Sequence, residues 1–223
     1  MKKVLLTAFL LGALTSVFGN SADSKHTLWS IGKPDKSTAE LALGPNNYKQ
    51  FLANDFGFED KYFLIGKSNP NESFPYVIPG PADEWGGTWS TAGWRTHETN
   101  LLFGIEKLPA KGVWKLIIEV ADNAVKKPPL LKVSINDKAE KFQLAAGGND
   151  SSIVGDLTGA NHQTLVIPIQ NSTIREGGNC ITLSVLEGSW ILFDNIRLEA
   201  PVGTTLVTPG QLFVRSVQQH VTR

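Results

Sequence analysis

The stretch VWKLIIEV, residues 113–120, alternates between the two faces of an extended chain. Successive side chains of a β-strand point to opposite sides of the sheet, so a period of two predicts a strand with one buried face. Lys115 and Glu119 share the face that is expected to meet solvent. The face that is expected to enter the core carries Trp114, Leu116, Ile118 and Val120.

The same alternation recurs in short runs that are bounded by Gly, Pro, Asn or Asp. Leu131, Val133 and Ile135 form one such set, and Trp29 and Ile31 form another. Further runs span residues 100–105, 164–169, 180–186 and 191–198. Many short strands with almost no helix predict an all-β fold, and a jelly-roll-like β-sandwich of two antiparallel sheets is the first choice.

One short helix is predicted after Pro45. Asn46 or Asn47 can cap its start, and the segment 55–57 would end it. The apolar face of this helix would be formed by Tyr48, Phe51 and Leu52.

Residues 1–20 predict a secretory signal peptide. Lys2 and Lys3 precede an uncharged apolar run, and the small residue Gly19 lies where cleavage is expected. The run is shorter than the roughly 20 apolar residues of a membrane-spanning helix. The alternative is a buried strand or helix of a cytosolic protein. We expect a protein that is secreted, in the periplasm or outside the cell.

The remaining chain divides into three parts. Residues 21–27 predict a disordered lead-in, and residues 28–199 predict the sandwich. Residues 200–223 change character and predict a linker or the start of a further domain; a tail packed along the sandwich is the alternative.

The charge is balanced, with 21 Lys and Arg against 21 Asp and Glu. Binders of nucleic acid or of anionic membranes normally show a basic excess or patch, so neither partner is expected. The single cysteine, Cys180, excludes an intramolecular disulfide. The four histidines have no metal-binding spacing, so no zinc is expected. No cofactor is expected, and a structural calcium ion is the one metal ion that the sequence leaves open.

The segment DEWGGTWSTAGWR, residues 83–95, places Trp85, Trp89 and Trp94 among glycines. Sugar sites combine flat aromatic rings with polar groups that donate and accept hydrogen bonds, and a loop can present both at the end of a sandwich. The rings could instead fold back and cap the core. The polar candidates nearby are Asp83, Glu84, Arg95, His97 and Asn100, and Tyr76 is a candidate for the other wall of the site. The same polar groups permit a catalytic site without demonstrating one.

Asp194 shares a face with Leu192, Ile196 and Leu198, so strict alternation would bury a carboxylate. A buried charge needs partners. Loop N–H groups, a guanidinium or a structural calcium ion could serve, and a local bulge that turns the side chain outward is equally consistent with the sequence.

Several segments resemble the C-terminal carbohydrate-binding-module-like domain of rhamnogalacturonan lyases, in consistent order from about Leu28 to Glu199. These segments are LWSIGKPD (28–35), FLIGKS (63–68), LLKVSIN (130–136), IREGGNCITL (174–183) and FDNIRLE (193–199). The resemblance implies a jelly-roll sandwich that helps to engage pectic polysaccharide, while lyase chemistry belongs to a separate domain. No catalytic residue is carried across.

The sequence thus favours a secreted, non-catalytic domain that binds plant cell-wall polysaccharide, with pectic glycan as the leading ligand. One alternative is the N-terminal accessory part of a polysaccharide lyase or glycoside hydrolase whose catalytic domain lies beyond Arg223. The other is a structural spacer that binds no sugar.

Overall fold

The computed structural model describes residues 25–54, 56, 60–88 and 96–207. Strands dominate it, as the alternating sequence predicts. They are β1 Lys25–Gly32, β2 Lys61–Leu64, β3 Val77–Ile78, β4 Thr99–Lys107, β5 Val113–Asn123, β6 Leu130–Ile135, β7 Lys138–Gln143, β8 Gln163–Gln170, β9 Gly177–Glu187, β10 Ile191–Pro201 and β11 Thr205–Leu206.

The strands form two sheets. The first sheet has the order β1-β10-β5-β8, and β3 also pairs with β10. The second sheet has the order β11-β4-β9-β6-β7, and β2 also pairs with β4. All pairs are antiparallel except β2 with β4, which is parallel. The predicted all-β sandwich is confirmed, and this parallel pair is the one departure from two purely antiparallel sheets within the described ranges.

The core lies between the two sheets and is filled by the alternating sets. Trp114, Leu116 and Ile118 of β5 are completely buried, and so are Ile181 and Leu183 of β9. Complete burial of a large apolar side chain contributes about 1.5–3 kcal/mol, so these rows supply much of the stability of the domain. The prediction for residues 113–120 is confirmed, and the strand continues three residues further, to Asn123.

The prediction of one short helix after Pro45 is wrong. The chain forms two separate 3₁₀ helices there, Tyr48–Gln50 and Leu52–Asn54, and Asn47 makes no side-chain cap. Phe51 lies between them and packs its ring 5.7 Å from Phe56 and 5.9 Å from Trp85. The contact with Trp85, which is remote in sequence, shows tertiary packing overriding the local helical pattern. The described residues do contain one α-helix, Pro70–Ser73, which is a single turn with proline at its start.

Both ends of the sandwich extend beyond the predicted limits. β1 begins at Lys25, where it pairs with Pro201, so residues 25–27 belong to the sheet. At the other end, β11 pairs with β4, and the Val207 N–H donates to the Gly104 carbonyl at 2.9 Å. Residues through 207 therefore pack on the sandwich. The predicted signal peptide and the segment 208–223 lie outside the described residues.

No helix within the described ranges is long and apolar enough to cross a membrane.

Candidate functional site

Trp85 lies on a 3₁₀ helix, Glu84–Gly86, that is closed by Gly87 in the left-handed conformation, with φ 71°. Its ring is half-buried and meets the Tyr48 ring edge-on at 5.1 Å and the Phe51 ring edge-on at 5.9 Å. Phe51 is buried, whereas Tyr48 is also half-buried. The Trp85–Tyr48 edge, defined by these two rings, is thus an aromatic surface that is anchored from below.

Asp83 fixes the start of this turn. One carboxylate oxygen accepts from the Gly80 N–H at 2.8 Å, and the other accepts from the Ser189 hydroxyl at 2.5 Å. The Thr88 hydroxyl donates to the Gly80 carbonyl, which closes the loop from the other side. Burial raises the pKa of Asp83 above its ordinary value, and the hydrogen bonds from Ser189 and Gly80 oppose that shift. Asp83 is only 7 % exposed, so in this structure it braces the loop.

Three further predicted site residues are also buried. The His97 ring donates from Nε2 to the Gly86 carbonyl at 2.6 Å. The Asn100 side chain accepts from the Thr182 hydroxyl at 2.7 Å. Tyr76 has no exposed surface, and its hydroxyl donates to the Ile153 carbonyl at 2.5 Å. In this structure Tyr76 therefore cannot form a wall that a ligand would touch, because its ring packs in the core.

The described surface of the predicted site consists of Glu84, which is exposed, and the Trp85–Tyr48 edge. Trp89, Trp94 and Arg95 lie outside the described residues, so their contact with sugar stays a prediction. Tyr48 was not among the predicted site residues, because the sequence placed it on the apolar face of a helix. The exposed Lys49 follows it in the chain, and the Lys49 ammonium lies 5.9 Å from the Tyr48 ring centroid.

The structure shows which groups surround the Asp194 carboxylate. It is buried, and it accepts from the Asp35 N–H at 3.3 Å, with the neighbouring N–H groups of Lys36 and Ser37 also favouring its charged form. The pairing of β10 with β5 is irregular between Phe193 and Asn195, so a bulge is present as well. Burial is the stronger influence and raises the pKa of Asp194. Across the described residues, no group of three or more His, Cys, Asp or Glu side chains could hold a metal ion.

A cleft of about 840 Å³ lies elsewhere, between β6 and β7 of the second sheet and β8 of the first. Its floor is aliphatic, with Val133, Ile135 and Ile167 among the lining residues, and Lys138 lies at its rim. No aromatic ring is present among the described residues that line it. It therefore lacks the flat platform that is typical of sugar sites.

Most of the chain matches the model of a known domain family. The model of the family "CBM-like: Polysaccharide lyase family 4, domain III" matches residues 27–198. The chain belongs to this family. The resemblance to the carbohydrate-binding-module-like domain of rhamnogalacturonan lyases is thereby confirmed, and the match ends close to the predicted end of the sandwich.

Solved structures give weaker similarities to this CBM-like domain. A family 35 carbohydrate-binding module from an environmental isolate is 15% identical, with 52% of this chain and 73% of that chain covered and a TM-score of 0.38. The CBM35 from Cellvibrio japonicus Abf62 is 14% identical, with the same coverage and a TM-score of 0.32. A β-porphyranase of glycoside hydrolase family 86 from Bacteroides plebeius is 13% identical, with 60% of this chain and 20% of that chain covered and a TM-score of 0.36. No curated protein matches the chain.

Family membership supports a carbohydrate-binding role for the CBM-like domain. It also suggests a polysaccharide ligand and attachment to catalytic domains in related proteins. The TM-scores of the solved structures are too low to add to this conclusion.

Proposed function

We propose that the chain is a secreted domain that binds plant cell-wall polysaccharide of the pectic class, with the Trp85–Tyr48 edge as part of its sugar platform. One observation carries the location of this platform: Trp85 is held by Phe51 beneath it and by the braced Asp83 turn beside it, yet part of its ring reaches solvent. A rigid, half-exposed ring can stack on the apolar face of a sugar at little cost in conformational entropy.

The sequence that follows supports an extended platform. Trp89 and Trp94 come four and nine residues after Trp85, in the segment that joins this turn to β4. We propose that these rings continue the stacking surface along a glycan chain. The pectic class is proposed from the family, which is described as a domain of a polysaccharide lyase family.

The test is affinity electrophoresis of residues 21–223 against pectins, xylans and glucans, followed by calorimetry with the retarding glycan. We expect retardation by pectin, and about 1–3 kcal/mol of lost binding free energy for Trp89→Ala or Trp94→Ala with the melting temperature nearly unchanged. Val166→Ala is the matched control, because Val166 is an exposed apolar residue on the first sheet, 52% accessible. No retardation by any glycan would identify the domain as a structural spacer.

The family description as domain III favours a second function, that of an accessory domain to a lyase or hydrolase. Sequencing the complete reading frame distinguishes the two, because the accessory function requires a catalytic domain in the same chain. Secretion is tested separately by N-terminal sequencing of the exported protein, for which we expect a start near Ser21.

A further inference from the structure

The outer face of the second sheet carries a row of charged and hydroxyl side chains. The row crosses three strands, β7, β6 and β9, and continues to the residues that precede β4 and β2. Lys132 of β6 pairs directly with Lys141 of β7 on one side and with Ser184 of β9 on the other. Thr99 of β4 pairs with Leu183, so Glu98 lies beside Ser184. The Glu98 N–H donates to the Asp60 carboxylate at 3.2 Å. We call this row the outer strip: Asp60, Glu98, Ser184, Lys132 and Lys141.

Alternation places the strip on the side away from the core. Leu131 and Val133, which flank Lys132, are buried between the sheets, and so are Leu183 and Val185, which flank Ser184. Lys132 itself is half-buried and Lys141 is exposed. The strip therefore lies on the outer face of the sheet, with Lys141 at its exposed end and Ser184 as its most buried member.

Two like charges face each other at one end of the strip. Directly opposite residues of an antiparallel pair have Cβ atoms about 4.5–5.5 Å apart, and like charges in such a pair are destabilising. The side-chain ion pair found among the described residues, Arg197 with Glu119, lies on the first sheet. Within the described ranges, no carboxylate forms an ion pair with Lys132 or Lys141. Their ammonium groups form the positive end of the strip, and the carboxylates of Glu98 and Asp60 lie at its other end.

Ser184 adds a second, independent feature. Its side chain is only 2% exposed, and its hydroxyl has no hydrogen-bond partner among the described residues. A buried hydroxyl that makes no hydrogen bond carries a desolvation cost, so native structures rarely keep one without a reason. On the same face, the neighbouring Thr182 hydroxyl is satisfied by Asn100. Of these two neighbouring hydroxyls on the outer face, only that of Ser184, next to Lys132, lacks a hydrogen bond among the described residues.

We propose that the outer strip binds an acidic sugar residue of a polysaccharide, a uronate whose carboxylate lies on Lys132 and Lys141. A hydroxyl of the sugar would meet Ser184, and the carboxylate of Glu98 would accept from the next hydroxyl along. This proposal rests on the proposed glycan-binding function and specifies its chemical class. Glu98 comes three residues after Arg95, in the stretch of chain that leads from the tryptophan-rich segment into β4.

The test compares two probes of equal length, an oligogalacturonide and its methyl ester, by calorimetry on residues 21–223. For the unmodified domain we expect at least tenfold tighter binding of the free acid, and an affinity that falls as salt rises. The double variant Lys132→Gln with Lys141→Gln should lose this tenfold preference while keeping its affinity for the ester. Lys138→Gln is the matched control, because Lys138 lies on the same strand β7 but lines the cleft between the sheets.

Ser184→Ala separates binding from folding. The hydroxyl makes no hydrogen bond with the described residues, so its removal should leave the melting temperature equal or higher, while binding of the acid weakens about threefold or more. Equal affinity for acid and ester in the unmodified domain would contradict the proposal that the outer strip binds a uronate. An unchanged preference for the acid in the double lysine variant would contradict it as well. If the unmodified domain still binds a glycan and Trp85→Ala weakens this binding, only the uronate site on the outer strip is wrong. If the unmodified domain binds no glycan at all, the proposed glycan-binding function is wrong as well.

Discussion

Trp114 and Trp85 have the same side chain but differ in burial, because they lie in two different regions of the molecule. Trp114 is completely buried in the middle of the sandwich, and its indole N–H donates to Asn171 at 2.9 Å. Trp85 lies on a 3₁₀ helix and keeps part of its ring at the surface, against Tyr48. On β5 the position within the alternation decides burial, whereas at the turn contacts with distant residues decide it.

The largest effect that tests this difference is expected for Trp114→Ala. Removal of a buried tryptophan from a packed core costs about 3–5 kcal/mol of unfolding free energy, because a cavity remains. The change also leaves the Asn171 side chain without its donor. Urea denaturation measures the loss. A cost below that of Trp85→Ala would show that the two regions do not differ as described.

A smaller effect is expected for Trp85→Ala. Its two edge-on contacts are each worth about 0.5–1.5 kcal/mol, and part of the ring is already in water, so we expect a loss of about 1–2 kcal/mol in unfolding free energy. Binding of the retarding glycan should weaken at the same time. Tyr48→Phe serves as the control, since it keeps the ring contact. A stability loss as large as that of Trp114→Ala, with unchanged binding, would assign Trp85 to the core.

The same contrast explains which parts of the fold the sequence predicts. Alternation with a strong apolar set places β4, β5, β6, β8, β9 and β10. β7 was missed because the edge strand KAEKFQ is exposed at five of its six positions and therefore shows no buried face. β3 was missed because two residues are too few to show a period. The paired strand β11 was read as part of a linker for the same reason.

The site was harder to predict because its partners are remote in sequence. Composition around residues 83–100 predicts polar groups near aromatic rings, but it cannot show that Asp83 accepts a hydrogen bond from Ser189, 106 residues away. In the same way, the buried Tyr76 hydroxyl donates to the Ile153 carbonyl, 77 residues away. Local sequence predicts which segment to examine, and only long-range packing separates its bracing residues from those that face solvent.

The smallest effect on stability is expected for a substitution of Asp83, whose hydrogen bonds hold the turn that carries Trp85. Burial raises the pKa of Asp83 in the folded protein above its ordinary value of 3.8. A raised folded pKa means that the proton favours folding: the stability it gives is fully present below the ordinary value and is lost as pH rises through the folded one. Asp83→Asn stays neutral at every pH, and its amide can still accept from Gly80 and donate to Ser189. We therefore expect this variant to be more stable than the unmodified domain at pH 7, by less than about 1 kcal/mol, the scale of one net hydrogen bond. The gain should vanish near pH 4.

Melting temperatures between pH 4 and pH 7 measure this gain, and Asp156→Asn provides the control of opposite sign. The Asp156 carboxylate accepts from the Thr158 N–H at 3.0 Å, and these hydrogen bonds lower its pKa. Its charged form favours folding, so Asp156→Asn should lower the melting temperature at pH 7 and have no effect in acid. If Asp83→Asn also lowers the melting temperature at pH 7, the hydrogen bonds stabilise the charged Asp83 carboxylate by more than its burial destabilises it. The turn that carries Trp85 would then depend on a charged brace, in contrast to the neutral contacts that hold Trp114.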